Sequence, residues 1–388
     1  MTIIRPVRWE LRDNPEHRRF VAERLIALKA GLQEQVHAAT SEHSLRLATW
    51  NIMHFGDGGA YDRSTESMLY IAEIIDHFDL VAVQEVNENI DRLEELIAKY
   101  LGSGWDYLVT DVVEGSAGNN ERLAFLYRTG KVQFCREVGE IVLPTGDEIA
   151  APGADGSNAV LQFARTPFSV SFRAGWLRFK LCTVHIHYGK DQSQGSPDMV
   201  RRREEIAKVA GLLAKRQEHE RLAGEKRAAV WADPKEGGWN ANYILLGDFN
   251  IVSPEHETMR ALTDAGFTVQ DKDHADIAGS GKHYDQIAHK TGHPGFKAHD
   301  SGVFDMFGYV YRDEDAGHYV DRARLEVLSA RKDPKPGQPP QRTRNEAMAY
   351  FRSYYRKHQM SDHKLLWAEL CIDYANDYLE RIIDEPTI

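Results

Sequence analysis

The chain reads as an α/β protein, on three observations. Apolar, β-prone runs alternate with helix-periodic segments of roughly ten to fifteen residues, the pattern of a sheet covered by helices. Several of these runs stop abruptly at polar residues. In Tyr243-Ile244-Leu245-Leu246-Gly247-Asp248-Phe249-Asn250 a buried strand delivers a carboxylate and a carboxamide, two residues apart and so on one face, to the end of a sheet. Leu47 to Asn51, Leu80 to Glu85, Leu181 to His185 and the Ser361-Asp362-His363 turn before Leu365-Leu366-Trp367 end in the same chemistry. Finally, 388 residues with 42% hydrophobic and 28% charged content suffice for one large domain, or one plus an accessory piece.

Residues 1 to 43 read as a helical extension. Asn14-Pro15 supplies an N-cap and a first-turn proline, and Val21, Leu25, Leu28, Leu32 and Val36 recur on one face, packed on the body or against a second copy of the chain. Leu45 to Asn51 is the first strand, followed by a helix from about Ser64 to His77 and a strand from Leu80 to Gln84 that ends in Glu85. A carboxylate placed by a fully apolar strand calls for a metal or an ion partner. A helix over Asn89 to Tyr100, a strand from Trp105 and a strand over Leu123 to Tyr127 follow, the last entered through Glu121. Pro144 to Asn158 reads as a loop rich in Gly, Pro and Asp. Phe168 to Phe172 and Trp176 to Ile186 form a hairpin about Arg173-Ala174-Gly175, with His185 and His187 on one face of its second strand, so either is placed to be a catalytic imidazole. From Met199 to about Ala229 a long charged helix shows a solvated face, and Asp271 to His299 reads as a surface loop rich in Asp, Gly and His without compact metal-ligand spacing.

Arg322 to Gln359 departs from the rest in composition, with ten Lys and Arg against Glu326, Asp333 and Glu346. Its Pro-rich first half leads to a helix carrying Tyr350, Phe351, Tyr354 and Tyr355 among Arg352, Arg356 and Lys357. Basic charge interleaved with aromatics suits a groove for phosphates and stacked bases, whereas aromatics at helical spacing also suit a core. The acidic segment from Asp373 to Ile388 carries no chemistry that can be read.

Read in order, Trp50-Asn51-Ile52, Gln84-Glu85-Val86, Thr183-Val184-His185, Gly247-Asp248-Phe249-Asn250 and Ser361-Asp362-His363 resemble the motif series of the endonuclease/exonuclease/phosphatase superfamily. Glu121 to Arg128 and His283-Tyr284-Asp285-Gln286-Ile287 resemble the segments that, in the deoxyribonuclease I-like branch, supply carboxylate partners for two catalytic histidines. The resemblance implies a four-layer αββα sandwich of two mixed sheets with the strand-end motifs at one edge, here residues 44–388. It also implies Mg²⁺ or Mn²⁺ held by Glu85, Asn51 and Asp362, with His185 oriented by Glu121 and His363 by Asp285. Asp248 and Asn250 would then position the attacking water and the phosphate. Apart from the resemblance, His187 either supports a substrate phosphate or caps its strand, and Arg352, Arg356 and Lys357 of the basic aromatic segment are candidates to hold substrate. The expected reaction is water attack on a DNA or RNA phosphodiester, leaving a 5′-phosphate and a 3′-hydroxyl. A phosphatase or phosphodiesterase acting on a small molecule or phospholipid head group uses the same core, and an inactive binding module is disfavoured because every polar position is filled. Gln286 departs from the branch, which usually has Arg there.

Composition bounds these readings. A net charge of −11 disfavours a protein that coats nucleic acid nonspecifically, but leaves room for a local basic surface beside a carboxylate-rich site. Cys135, Cys182 and Cys371 form no Cys-x-x-Cys pair, so metal ligation by oxygen is expected. The first residues lack a signal-peptide core and no run reaches the ~18 apolar residues of a membrane span, so a cytoplasmic protein without stable membrane association is expected.

Overall fold

The computed structural model describes all residues except 1, 38–42, 57, 114–118, 153–157, 191, 229–238, 271–274, 277–280 and 385–388. In chain order its strands are β1 (Ser44–Phe55), β2 (Leu80–Asn87), β3 (Trp105–Val109), β4 (Glu121–Arg128), β5 (Gln133–Glu140), β6 (Ile149–Pro152) and β7 (Asn158–Leu161). The second half adds β8 (Phe168–Ala174), β9 (Leu177–His185), β10 (Tyr243–Asp248), β11 (Thr268–Gln270), β12 (Asp285–Lys290), β13 (Ala298–Phe304) and β14 (Leu365–Cys371). One mixed sheet has the order β13-β14-β1-β2-β4-β3 and a second the order β11-β12-β10-β9-β8-β5, with β6 and β7 as a separate ladder.

The two sheets stack face to face with helices on both outer faces, giving the αββα sandwich. Each central strand is buried on both sides, which is why its sequence is continuously apolar rather than alternating. In β1, Leu45 and Leu47 enter the core between the sheets, while Ala48, Trp50 and Ile52 pack outward beneath the helices Pro15–Leu32 and Thr65–Ile75. In β10, Ile244 and Leu246 face the other sheet, and Tyr243 and Leu245 pack with Ile206, Val209 and Leu213 of the Pro197–Ala228 helix.

The inter-sheet face changes character along the strands. Past the apolar layer, Thr49, Gln84 and Thr183 form a buried polar bridge, with Gln84 Nε2 donating to Thr183 Oγ1 at 2.8 Å and to Thr49 Oγ1 at 3.1 Å. One step further along the same face stand Asn51, His185 and Asp248. Because β1 runs parallel to β2 and β9 parallel to β10, their C-terminal ends meet at one edge. The antiparallel β4 and β12 begin there with Glu121 and Asp285, which share the inter-sheet parity of Leu123 and Ile287.

Several sequence expectations are altered. The apolar face of the Pro15–Leu32 helix is buried in the core beneath the first sheet, with Val21, Leu28 and Leu32 at 0% exposure. The face that suggested a contact with a second copy is thus covered within the chain. The Asp271–His299 stretch contains strand β12 and the start of β13, so it is not a surface loop throughout; its first residues and His274 lie outside the described residues. Strand β6 interrupts the expected Pro144–Asn158 loop, whose centre lies outside the described residues. The charged helix is not solvated all round, since Arg202 and Glu205 are both 0% exposed.

Candidate active site

Asp248 occupies the centre of the inter-sheet edge. Its Oδ1 accepts the backbone N–H of Asn250 at 2.9 Å, and its Oδ2 accepts Asn51 Nδ2 at 3.1 Å. That same Oδ2 lies 3.6 Å from His185 Nε2 and 3.7 Å from His363 Nε2, so two imidazoles approach one carboxylate from its two sides. Asn250 adopts a left-handed φ of 53°, a conformation asparagine tolerates better than most residues, and its Nδ2 donates to Ile186 O at 2.8 Å.

Each imidazole carries a second carboxylate on its far nitrogen, which fixes the tautomer and favours the charged form. His185 Nδ1 lies 2.9 Å from Glu121 Oε2, close but poorly aligned as a hydrogen bond. Burial and the charge of Arg165 pull His185 down, while Glu121 and Asp248 bring it net above the ordinary histidine range. Burial pushes Glu121 up, yet His185 and Arg165 hold it well below the usual carboxylate range. Across the edge, His363 Nδ1 lies 3.0 Å from Asp285 Oδ2. Burial lowers His363, but Asp285 first, then Asp248 and Asp362, hold it well above its ordinary value. Burial pushes Asp285 up to about 6, against the opposing charge and hydrogen bond of His363.

Glu85 is presented by a break in β2. Its φ of 60° falls at a point where pairing with both β1 and β4 shifts register, a strained conformation of the kind that gathers at functional sites. Its Oε2 accepts His54 N–H at 3.0 Å and its Oε1 accepts Asn51 Nδ2 at 2.9 Å.

A model of the endonuclease/exonuclease/phosphatase family matches residues 48–363. The chain belongs to that family. Solved structures align with most of the chain at low identity. An endonuclease/exonuclease/phosphatase family protein from Bacteroides thetaiotaomicron is 18% identical at a TM-score of 0.47, over 85% of this chain and 98% of that one. A mannosyl-6-phosphatase from Bacteroides thetaiotaomicron VPI-5482 is 18% identical at 0.46, over 84% and 99%. The human Nocturnin catalytic domain is 12% identical at 0.46, over 85% and 95%. A search of curated proteins returns no match.

As a member of this family the chain is a metal-dependent hydrolase of phosphodiester bonds, and its donor set fits a cation. Among the described residues two clusters bring ligand atoms within 4.8 Å of one another, Glu85 with Glu121 and His185, and Asp248 with Asp285 and His363. Asn51 lies between Glu85 and Asp248, and its buried Oδ1 has no hydrogen-bond partner among the described residues. Carboxylate oxygens gathered in this way suit a hard divalent ion, and Asn51 turns Nδ2 to Glu85 and Asp248, leaving its Oδ1 as an unused oxygen donor beside them. Asp362 does not join either cluster: it is half-buried between Ser361 and His363, whose side chains turn inward to the site. The sequence expectation that Asp362 ligates the metal therefore finds no support in the geometry.

The other expected residues have separate surroundings. His187 lies beyond the end of β9, where its Nε2 meets Asp198 at 2.9 Å, so His185 alone of the two faces Asp248. Arg356 is paired with Asp313 at 2.8 Å and stacks over Phe307, while exposed Arg352 donates to Asp313 O at 3.2 Å. Lys357 is half-buried. Phe351 and Tyr355 enter the core beneath the first sheet, as helical spacing allowed, and Tyr354 is exposed.

Three positioning residues were not anticipated. Arg165 clamps Glu121 through Nε at 2.7 Å and Nη2 at 3.2 Å. Asp276 accepts the backbone N–H groups of Tyr284, at 3.0 Å, and Asp285, which fixes the start of β12. Arg202 donates to the carbonyls of His187, Tyr188 and Asn250 and so ties the ends of β9 and β10 together.

Proposed function

We propose that the chain is a Mg²⁺- or Mn²⁺-dependent phosphodiesterase that cleaves nucleic-acid phosphodiester bonds by attack of water. The observation that carries this reading is the pair of buried imidazoles, each backed by its own carboxylate and both turned toward Asp248. Hydrolysis forms a bond between water oxygen and phosphorus, breaks the bond to the leaving oxygen, and needs one proton removed and one supplied. His185 and His363 are the groups to do this, one as general base and one as general acid, each returned to its starting state by exchange with solvent. Asp248 aligns both Nε2 atoms, and Asn250 holds the Asp248 loop against Ile186. Glu85 and Asn51 would hold a divalent ion, which would supply charge neutralisation of the phosphate oxygens and stabilisation of the leaving alkoxide.

Nucleic acid is favoured as the substrate class by the basic character of the 322–359 segment, where Arg352 is exposed and forms no ion pair among the described residues. A cytoplasmic location fits three unpaired thiols, and no described helix is long and apolar enough to cross a membrane.

Replacement of His185 or His363 by Ala is expected to lower cleavage of single- and double-stranded oligonucleotides by at least ~100-fold, with unchanged circular dichroism. Products should carry a 5′-phosphate and a 3′-hydroxyl. If the wild-type protein releases inorganic phosphate from sugar phosphates or inositol phosphates while leaving oligonucleotides intact, the nuclease reading is replaced by the phosphatase one.

A further inference from the structure

Beside the catalytic edge lies a second basic cleft of about 490 Å³, within the roughly 300–1,000 Å³ range of small-molecule sites. It is lined by Arg63, Arg324, Lys332, Arg342, Tyr350 and Tyr355, with Asp62 and Gln359 at its edge. Four cations thus face one lining carboxylate in a chain whose net charge is −11, and Asp62 is already paired with Arg92 at 2.6 Å.

Arg342 and Arg63 are anchored by backbone carbonyls rather than free to retract. Arg342 stacks on the Tyr350 ring at 3.7 Å and donates through Nη1 to the carbonyls of Leu328, at 3.2 Å, and Ala330. Among the described residues, its Nε and Nη2 meet no acceptor. Arg324 is only loosely neutralised by Glu66 at 3.8 Å, and its buried Nε likewise lacks an acceptor among the described residues. Lys332 extends over Gly59 on the opposite wall and forms no ion pair among the described residues. Preorganised guanidinium groups with unused donors and a lysine beside them are suited to the oxygens of a phosphate.

Arg63 joins this cleft to the catalytic edge. It lines the cleft, yet its guanidinium donates to Met53 O at 2.6 Å and His54 O at 3.2 Å, and His54 N–H holds Glu85. Burial lowers Arg63 to about 10 against the opposing pull of Glu85, so it remains a cation at neutral pH.

We propose that this cleft binds a second phosphate group of the same substrate molecule, so that the enzyme prefers phosphodiesters with another phosphate near the scissile one over isolated diesters. The proposal rests on the phosphodiesterase reading for its catalytic consequence, but not for binding. Three of the four cations come from the segment that stands out in the sequence, and their role differs from that expected of Arg352, Arg356 and Lys357.

The test compares a thymidine dinucleotide with the same dinucleotide phosphorylated at both ends, cleavage of the internal diester being followed by chromatography. In wild-type protein with Mg²⁺, kcat/KM is expected to favour the phosphorylated form by at least about tenfold, the scale of a charge-assisted contact. The Lys332→Glu and Arg342→Gln variants should each reduce that ratio several-fold toward unity. A ratio near one in wild type, or a ratio unchanged in both variants, overturns the proposal. If neither dinucleotide is cleaved, the phosphodiesterase reading fails separately, and calorimetric titration of inorganic pyrophosphate in EDTA decides the cleft. Binding by wild type that weakens at least about tenfold in the variants supports it; no binding, or equal binding by all three proteins, contradicts it.

Discussion

Glu121 shows how one buried carboxylate can organise both an arginine and a histidine. Its two oxygens serve Arg165 and His185 at once, and the residue is 6% exposed. A buried guanidinium deprived of its carboxylate is costly, so Glu121→Gln should destabilise the protein by about 3 kcal/mol at pH 7. The sign of the pH dependence follows from the lowered carboxylate. Its contribution is present above the ordinary value of 4.5 and is lost as pH falls toward the depressed folded value, because the unfolded chain then binds the proton more readily. Urea denaturation at a series of pH values should therefore show the gap between wild type and variant closing below about pH 4.5. A gap that widens on acidification would mean that Glu121 is not the ionised partner of Arg165 and His185.

At the scale of elements, the site exists because strands obey a period of two. Asn51, Gln84, Thr183, His185 and Asp248 continue the same inter-sheet rows as Leu47, Ala82, Leu181 and Leu246. This much could be read from the sequence, since an apolar run that stops at Asn, Glu, His or Asp announces both the strand and its functional end. Asp285 was legible only by resemblance, because β12 reads Asp-Gln-Ile-Ala-His-Lys and four of its six residues are polar. Arg165 and Asp276 were not legible at all. Each is defined by its partner, 44 residues away for Arg165 and 9 for Asp276, and neither lies in a periodic segment. Arg202 was hidden within a run of charges, where only the carbonyls folded against it distinguish it from its solvated neighbours. The N-terminal helix Pro15–Leu32 is capped by Asn14, whose Oδ1 accepts His17 N–H at 3.0 Å. Its burial makes a direct prediction: Leu28→Ala removes a 0%-exposed side chain and should cost about 3 kcal/mol. An unchanged urea midpoint would show that this helix is peripheral to the cooperative core.

For the whole molecule, charge is segregated between two neighbouring sites. Carboxylates gather at the inter-sheet edge, where Glu85, Asp248, Asp285 and Glu121 stand within reach of two histidines, while the 322–359 segment supplies cations to a cleft alongside. A chain of net −11 can then attract a polyanion locally and keep it from the rest of its surface. The most direct test of this arrangement is the divalent-cation dependence of bis(4-nitrophenyl) phosphate hydrolysis, measured for wild type and Glu85→Gln across a Mg²⁺ or Mn²⁺ titration. Wild-type turnover is expected to vanish in excess EDTA and to saturate as metal is restored, with Glu85→Gln requiring at least about tenfold more metal for half-activation. Full wild-type turnover in EDTA, or an identical titration curve for Glu85→Gln, would contradict a metal-dependent phosphodiesterase centred on this edge.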